Sequence, residues 1–277
     1  MTTLNEALRS CQSALKAVAY EESGVEARAI VEYVTGADRA ALIVNGSESV
    51  DNASLERIRA LVSKRLEGTP LAYVLGYRYF YGLKLHVTPE VLIPRSDTET
   101  LVEEALQRSF TTVLDLGTGS GAVILAIKAS RPQSVCTACD ISEGALEVAK
   151  FNAKSLGLEV SFILSSWFNA GGLNSSRFDL IVSNPPYIEQ GDLHLTQTSL
   201  PYEPSIALTS GKDGLDDIRR IVSEAPSHLN PGGALMLEHG YDQGPRVREI
   251  MEKSGFKRIR TVRDLGGNER VTSGEWS

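Results

Sequence analysis

Apolar positions recur at helical spacing through the first part of the chain. Leu4, Ala7, Leu8, Cys11, Leu15 and Val18 form one series, Leu55, Ile58, Leu61, Val62 and Leu66 another, and shorter apolar stretches cover 27–34 and 40–44. Residues three and four apart share one face of a helix, so this pattern predicts a small bundle of four or five helices over residues 1–76. On the same segment Arg57, Arg59, Lys64 and Arg65 read as a solvated face. Over 77–93 the pattern changes to aromatic and β-branched residues interrupted by Gly82 and Pro89, which predicts a hairpin linker spanning 77–94. Ser96 and Glu99 then stand at capping-box spacing ahead of the apolar stripe Leu101, Val102, Ala105 and Leu106.

From there strand and helix patterns alternate. Apolar runs at 113–116, 135–140, 160–164, 178–183 and 234–238 predict strands, with helices at 122–129, 144–155, 216–229 and 246–254. An irregular segment is expected over 188–211, and late strands at 258–263 and 270–273 flank Gly266-Gly267-Asn268. Alternation of this kind is the signature of an α/β fold whose parallel sheet is covered on both faces, here over residues 95–277.

Composition changes this picture little. With 277 residues, 42% of them hydrophobic and 23% charged, the chain has enough apolar material for one large domain and a smaller one. A formal charge of −7 offers no broad attraction to a phosphate backbone, so direct nucleic-acid binding is not expected. No basic segment precedes an apolar stretch at Met1-Thr2-Thr3-Leu4-Asn5-Glu6, and no apolar run is long enough to cross a bilayer, so no membrane association and a cytoplasmic address are expected. Cys136 and Cys139 fall in one strand at odd spacing and should point to opposite faces. His86, His194, His228 and His239 show no metal-ligand spacing with cysteine or glutamate, so no metal is expected.

The chemistry is concentrated at the ends of predicted strands. Asn184-Pro185-Pro186-Tyr187 follows the run at 178–183, and its two prolines fix their own φ and stiffen the segment. Asn184 offers a side-chain carbonyl, Pro185 a backbone carbonyl, and Tyr187 a flat apolar face. Together they suit a planar group carrying an NH2, whose delocalised lone pair makes it a poor nucleophile until it is oriented towards an electrophile. A plain strand-ending turn would use the same residues.

Asp115-Leu116-Gly117-Thr118-Gly119-Ser120-Gly121 lies between a strand and a helix, where glycines permit a tight turn and close approach of a ligand. The amides at the helix start are expected to favour an anionic group. Its spacing is G-x-G-x-G, not the G-x-G-x-x-G of dinucleotide sites, which counts against a nicotinamide oxidoreductase. Asp140 closes the next strand, placed either to accept two ribose hydroxyls or to cap the following helix. Gly117, Asp140 and Asn184 should converge on one edge of the sheet, and this convergence favours a binding cleft over three independent turns.

With these motifs the chain resembles the class I S-adenosylmethionine-dependent methyltransferases whose motif is (Asp/Asn)-Pro-Pro-(Tyr/Phe/Trp). More narrowly it is similar to the bacterial release factor glutamine methyltransferases. The resemblance runs through Ile93-Pro94-Arg95-Ser96-Asp97-Thr98-Glu99, Asp115 to Gly121, Ser166-Trp167-Phe168, Val182 to Ile188, Leu237-Glu238-His239-Gly240 and Asn268-Glu269-Arg270-Val271. Ser96 and Ser166 stand where family members usually carry Pro and Asp.

The resemblance implies a Rossmann-like class I methyltransferase sheet with a helical N-terminal domain that docks a protein substrate. It implies S-adenosyl-L-methionine as cofactor, S-adenosyl-L-homocysteine as product, and class 1 release factors as partners of a monomeric enzyme. Gly117, Thr118, Gly119, Ser120 and Gly121 would line the methionine part of the cofactor, Asp140 its ribose and Trp167 its adenine, with Asp115 at the ammonium. Asn184 would touch cofactor and substrate, and Asn184, Pro185, Pro186 and Tyr187 would hold the glutamine amide. Two rival readings are methylation of an exocyclic amine of adenine or guanine and a non-catalytic nucleotide-fold binding module.

Overall fold

The structure, a computed structural model, describes residues 1–173, 176–196 and 200–277, which divide into two compact units, Met1–Gly76 and Tyr77–Ser277. In the first, Thr3 and Glu6 cap each other. The Glu6 amide donates to Thr3 Oγ1 at 3.3 Å and the Thr3 amide to Glu6 Oε2 at 2.9 Å, which starts α1 (Leu4–Leu15). α2 (Ser23–Thr35) ends on Gly36, and α3 (Arg39–Val44) and α4 (Asn52–Leu66) begin on the side-chain caps Asp38 and Asp51, ahead of the short α5 (Leu71–Leu75).

The buried stripe of this unit consists of Leu4, Ala7, Cys11 and Leu15 of α1, Ala27, Ile30 and Val31 of α2, and Ile58, Leu61 and Val62 of α4. Val18 lies beyond the end of α1 and Leu66 closes α4, so both are exposed instead of joining the stripe. Arg65 also departs from the expected solvated face. Its guanidinium makes a bidentate pair with buried Glu26, Nε to Oε2 at 2.9 Å and Nη2 to Oε1 at 3.1 Å. A planar fork matches a carboxylate in this way where a lysine would not.

The second unit opens with the hairpin of β1 (Tyr77–Phe80) and β2 (Leu83–His86). Its turn residues Tyr81 and Gly82 both have positive φ, 48° and 76°, the conformation whose twist suits a two-residue hairpin loop. The capping box expected at Ser96 and Glu99 does not form. Ser96–Thr98 is a 3-10 turn, α6 (Glu99–Leu106) follows it without a side-chain cap, and Glu99 Oε1 accepts the Tyr81 amide at 2.8 Å instead. That amide sits in the hairpin turn outside the strand ladder, so it takes the carboxylate.

The chain then builds β3 (Thr112–Leu116), α7 (Ala122–Ser130), β4 (Val135–Asp140), α8 (Glu143–Leu156), β5 (Ser161–Leu164) and β6 (Phe178–Ser183). α9 (Asp216–Glu224), β7 (Leu229–Glu238), α10 (Gly244–Lys253), β8 (Lys257–Arg263) and β9 (Glu269–Glu275) complete it. α9 stops at Glu224, short of the expected 229, because Pro226 cannot continue a helix; a 3-10 turn (Ala225–His228) carries it. Of the irregular segment 188–211, residues 197–199 lie outside the described residues.

The strands form one sheet in the order β5-β4-β3-β6-β7-β9-β8, parallel except for β9, which runs antiparallel to β7 and β8. This is the Rossmann-like α/β sheet expected. Alternate residues feed two cores. Val113, Cys136, Leu180 and Met236 join Leu101 and Ile124 of α6 and α7 on one face. Leu114, Cys139, Ile181 and Leu235 join Ile221 and Met251 of α9 and α10 on the other. Cys136 and Cys139 therefore point to opposite faces, as their spacing requires. Successive strands run from β3 outward to β5, and the chain then returns to place β6 on the other side of β3, which creates a switch point between β3 and β6.

Candidate active site

Leu116 of β3 is paired with Ser183 of β6, and Ser183 Oγ donates to the Leu116 carbonyl at 2.7 Å. The next residues, Gly117 and Asn184, therefore emerge side by side at the carboxyl edge of the sheet. Here lies a cavity of about 340 Å³ whose walls include Gly117, Thr118, Gly119, Ser120, Asp140, Trp167, Asn184 and Pro186. Three further residues expected at the site are not on its wall. Gly121 turns into α7 at φ 83°, where a Cβ would stand 2.9 Å from Leu125 Cδ1. Pro185 is buried, and Tyr187 is turned so that its hydroxyl donates to Glu238 Oε1 at 3.3 Å.

The glycine loop turns its own amides back onto β4. The Gly117 and Thr118 amides both donate to the Cys139 carbonyl at 2.9 Å, Gly119 to Asp140 Oδ2 at 2.9 Å, and Gly121 to the Thr118 carbonyl at 2.8 Å. The carboxylate facing the start of α7 is the protein's own Asp115. Thr118 Oγ1 donates to its Oδ2 at 2.7 Å. Burial pushes the Asp115 carboxyl up to about 7, against the hydrogen bond from Thr118, with nearby Asp140 adding to the rise and the Ile124 amide of α7 opposing it. A buried carboxyl in that state gains from a cationic neighbour, so the chemistry of this end of the cleft fits an ammonium.

Asp140 accepts from Gly119 on Oδ2 and from the Ser142 amide on Oδ1, both at 2.9 Å. Burial raises its pKa. It is not the cap of α8, because Ser142 holds that position with its hydroxyl on the Ala145 amide at 3.1 Å. Each Asp140 oxygen keeps a second lone pair, which suits a pair of hydroxyls. Opposite the loop, Trp167 holds φ 56°, and a Cβ added to Gly117 would lie 3.3 Å from its Cζ3. The glycine lets the backbone approach the indole face closely.

Asn184 Nδ2 donates to Thr98 Oγ1 at 3.2 Å, which leaves Asn184 Oδ1 as the free acceptor. The segment beyond it is fixed by Gln243, whose Nε2 donates to the Tyr187 carbonyl at 2.9 Å while its Oε1 accepts the Gly240 amide at 2.8 Å. Burial and the charge of Glu238 raise the Tyr187 hydroxyl above its usual range, so it stays protonated.

Sequence reasoning missed several wall residues: Pro94, Arg95, Thr98, Asp217 and Arg220. Arg95 and Thr98 belong to the linker motif quoted for the resemblance, which was the available signal. Asp217 and Arg220 carried none, being charges on an amphipathic helix. Asn152 on α8 was also missed. It is buried, bonds the His86 amide through Oδ1 at 2.7 Å, and donates through Nδ2 to the His86 and Ser120 carbonyls at 3.0 and 2.9 Å, fastening the hairpin to the glycine loop.

Glycine walls, a buried acid, a diol acceptor and an indole face together fit S-adenosylmethionine. Two family models match, one described as PrmC N-terminal domain over residues 6–76 and one as Methyltransferase small domain over 96–200. The chain is 46% identical over 91% of its length to a release factor glutamine methyltransferase of Neisseria gonorrhoeae, 93% of which is covered. It is 48% identical over 90% of its length to one of Xylella fastidiosa strain Temecula1, with 92% of that protein covered. A solved methyltransferase structure from Pyrococcus furiosus shares the fold at a TM-score of 0.55 and 20% identity, covering 77% of this chain and 96% of that one.

Proposed function

The chain belongs to the release factor glutamine methyltransferase family, and on that premise we propose that it methylates the side-chain amide nitrogen (N5) of the glutamine in the Gly-Gly-Gln motif of peptide chain release factors. Family membership does not favour the nucleic-acid amine or the non-catalytic binding module. The observation that carries the reading is the free carbonyl of Asn184, fixed beside the glycine loop by Thr98.

Bound S-adenosylmethionine supplies an electrophilic sulfonium methyl, so that an N–C bond forms on the amide as the C–S bond breaks. Asn184 Oδ1 and the Pro185 carbonyl accept the two amide hydrogens and aim the nitrogen lone pair at that methyl. Pro186, on the cavity wall, narrows the slot, and the Tyr187 ring would pack on the amide plane once substrate is bound. Two acceptors also stabilise the positive charge that grows on nitrogen, whose hydrogens become acidic as the N–C bond forms, so no strong base is needed before attack and one proton is released to water afterwards. In cofactor binding, Gly117, Thr118, Gly119 and Ser120 would border the methionine part, with Gly121 supplying the turn into α7 behind them, while Asp115 would meet its ammonium, Asp140 the ribose hydroxyls and Trp167 the adenine face. The helical unit, residues 1–76, contributes to docking the release factor, and the reaction belongs to the cytoplasm, where translation ends.

Mass spectrometry of the Gly-Gly-Gln peptide after incubation of the protein with release factor and S-adenosylmethionine tests this reading. One methyl group on the glutamine is the expected result; an unmodified peptide beside a methylated nucleic acid overturns it.

A further inference from the structure

The turn that follows β7 grips Tyr187 at two points. The Tyr187 hydroxyl donates to Glu238 Oε1 at 3.3 Å, and its carbonyl accepts Gln243 Nε2 at 2.9 Å while Gln243 Oε1 accepts the Gly240 amide at 2.8 Å. A Cβ at Gly214 would stand 2.7 Å from Gln243 Nε2 and one at Gly240 would stand 3.1 Å from Oε1, so this side chain is packed closely on both sides. Between Glu238 and Gly240 lies His239, fully buried, a titratable ring that the methyl transfer does not use. A buried imidazole with two polar nitrogens needs a partner for each, and both are present.

Backbone groups set the polarity of these bonds. The Gly240 amide can only donate and the Tyr187 carbonyl can only accept, so the Gln243 amide has one orientation. His239 Nδ1 lies 2.8 Å from the Gly240 carbonyl, which can only accept, so Nδ1 carries a proton whatever the charge of the ring. On the other side, Nε2 lies 2.8 Å from Thr272 Oγ1, Thr272 Oγ1 lies 2.8 Å from Thr261 Oγ1, and Arg248 Nη1 donates to Thr261 Oγ1 at 2.7 Å. A guanidinium only donates, so the hydrogens along this line can all point one way, from Arg248 through Thr261 and Thr272 onto Nε2 of a neutral ring. Burial lowers the His239 pKa; the bond to Gly240 opposes this and the charge of Arg270 adds to it.

We infer that His239 is a positioning residue for the substrate slot: in its Nδ1–H tautomer it fixes Gly240, and Gly240 through Gln243 sets where the Asn184-Pro185-Pro186-Tyr187 segment ends. The bond from Nδ1 closes over a single residue, a glycine, which has the most backbone freedom to lose and whose amide must aim at Gln243. Thr272 on β9 and Thr261 on β8, paired in register, hold the far side of the ring against the sheet. Thr98 steadies the Asn184 end of the segment, and the line through His239 steadies the Tyr187 end.

This inference rests on the proposed amide methylation, and its test separates the two. Long-range ¹H–¹⁵N spectra of the full-length wild-type protein read the His239 ring directly; the Nδ1–H tautomer is expected, and an Nε2–H ring overturns the inference. His239→Asn places an NH2 where Nδ1 stands, whereas His239→Gln reaches towards Thr272 and leaves the Gly240 carbonyl without its donor. Both lose the packing of the ring and should lower Tm. On release factor, however, kcat should fall by about 10- to 100-fold in His239→Gln, the range a lost buried hydrogen bond gives, and far less in His239→Asn, with S-adenosylmethionine affinity by calorimetry unchanged in both. Losses of kcat that track Tm across the two variants show a structural role alone and overturn the positioning role. Adding Gln243→Met to His239→Gln should lower kcat no further than the worse single variant, because both break the same line, and additive losses sink it. Should His239→Gln not fold, Thr272→Val, which removes only the hydroxyl on Nε2, should lower kcat with cofactor affinity unchanged, and wild-type turnover there overturns the inference. If the wild-type protein leaves release factor unmodified, the methylation reading fails, while an Nε2–H ring in a protein that does methylate release factor sinks the role of His239 alone.

Discussion

Trp167 Nε1 donates to Asp217 Oδ1 at 3.1 Å, tying the turn after β5 to the first turn of α9. Asp217 is in turn fixed by Ser210, whose hydroxyl donates to Oδ2 at 2.7 Å and accepts the Asp217 amide at 2.8 Å. The indole is thus held in one plane against the glycine loop, although its backbone sits in the left-handed region that disfavours a side chain. A strained residue kept in place by a bonded neighbour is pre-organised to receive a flat ligand.

Removal of that plane should weaken cofactor binding. Trp167→Ala is expected to raise the Kd for S-adenosylmethionine by about 5- to 150-fold, the equivalent of one lost base-stacking contact. Trp167→Phe should lose less, since it keeps a ring and forfeits only the bond to Asp217. Calorimetric titration reads both, and an unchanged Kd in Trp167→Ala would place the adenine elsewhere.

Asn184→Ala should abolish turnover, by about 100- to 1,000-fold or more, while Tm and the circular dichroism spectrum stay near those of the native protein. The residue is half-buried at a strand end and, among the described residues, its side chain bonds only Thr98, so the fold does not depend on it. Near-normal methylation by this variant would remove the orienting role.

The pH dependence of apo-protein stability should carry the mark of Asp115. Its folded pKa, about 7, lies above the unfolded value of about 3.9, so the native state holds a proton that the unfolded chain releases. That contribution is fully present below about pH 4 and is lost as pH rises to about 7. Glu238, also pushed up to about 7 by burial, slopes the same way. Asp140, raised by burial as well, adds to the slope; Asp115→Asn removes one of these groups, and its Tm should fall less steeply between pH 4 and 7. A slope equal to the wild type would show that Asp115 is ionised in the apo state.

Asp179 behaves in the opposite sense. Its Oδ2 accepts the Thr111 and Thr112 amides at 2.9 Å and Thr112 Oγ1 at 3.1 Å, and its Oδ1 accepts Asn230 Nδ2 at 2.8 Å, joining the starts of β3, β6 and β7. Burial raises this carboxyl, but bonds from the Thr112 amide, Asn230 and Thr111 outweigh it and hold the pKa below its ordinary value. The stabilisation is present above about pH 4 and fades as pH falls below it. Asp179→Ala should lose about 1–3 kcal/mol at neutral pH in urea unfolding, with the gap from wild type closing in acid.

The order of elements was legible in the chain because apolar periodicity directly encodes which face of a helix or strand is buried. Cys136 and Cys139 show how firmly: an odd spacing in a strand leaves no choice but opposite faces. Sequence also marked Gly117, Asp140 and Asn184 as neighbours, since strand ends in a sheet of this kind share one edge. What it could not give was the direction of individual hydrogen bonds. Ser96 with Glu99 carries the spacing of a cap, yet Glu99 takes the Tyr81 amide 18 positions away. The glycine loop turns its amides back onto β4, Gly117 and Thr118 to the Cys139 carbonyl and Gly119 to the Asp140 carboxylate, partners that composition alone does not name. Glu238 lies far from Tyr187 in sequence, and only the folding of β7 beside β6 brings its carboxyl to the Tyr187 hydroxyl. Periodicity is a local property and survives in one dimension, whereas each donor selects among acceptors that tertiary packing alone makes adjacent.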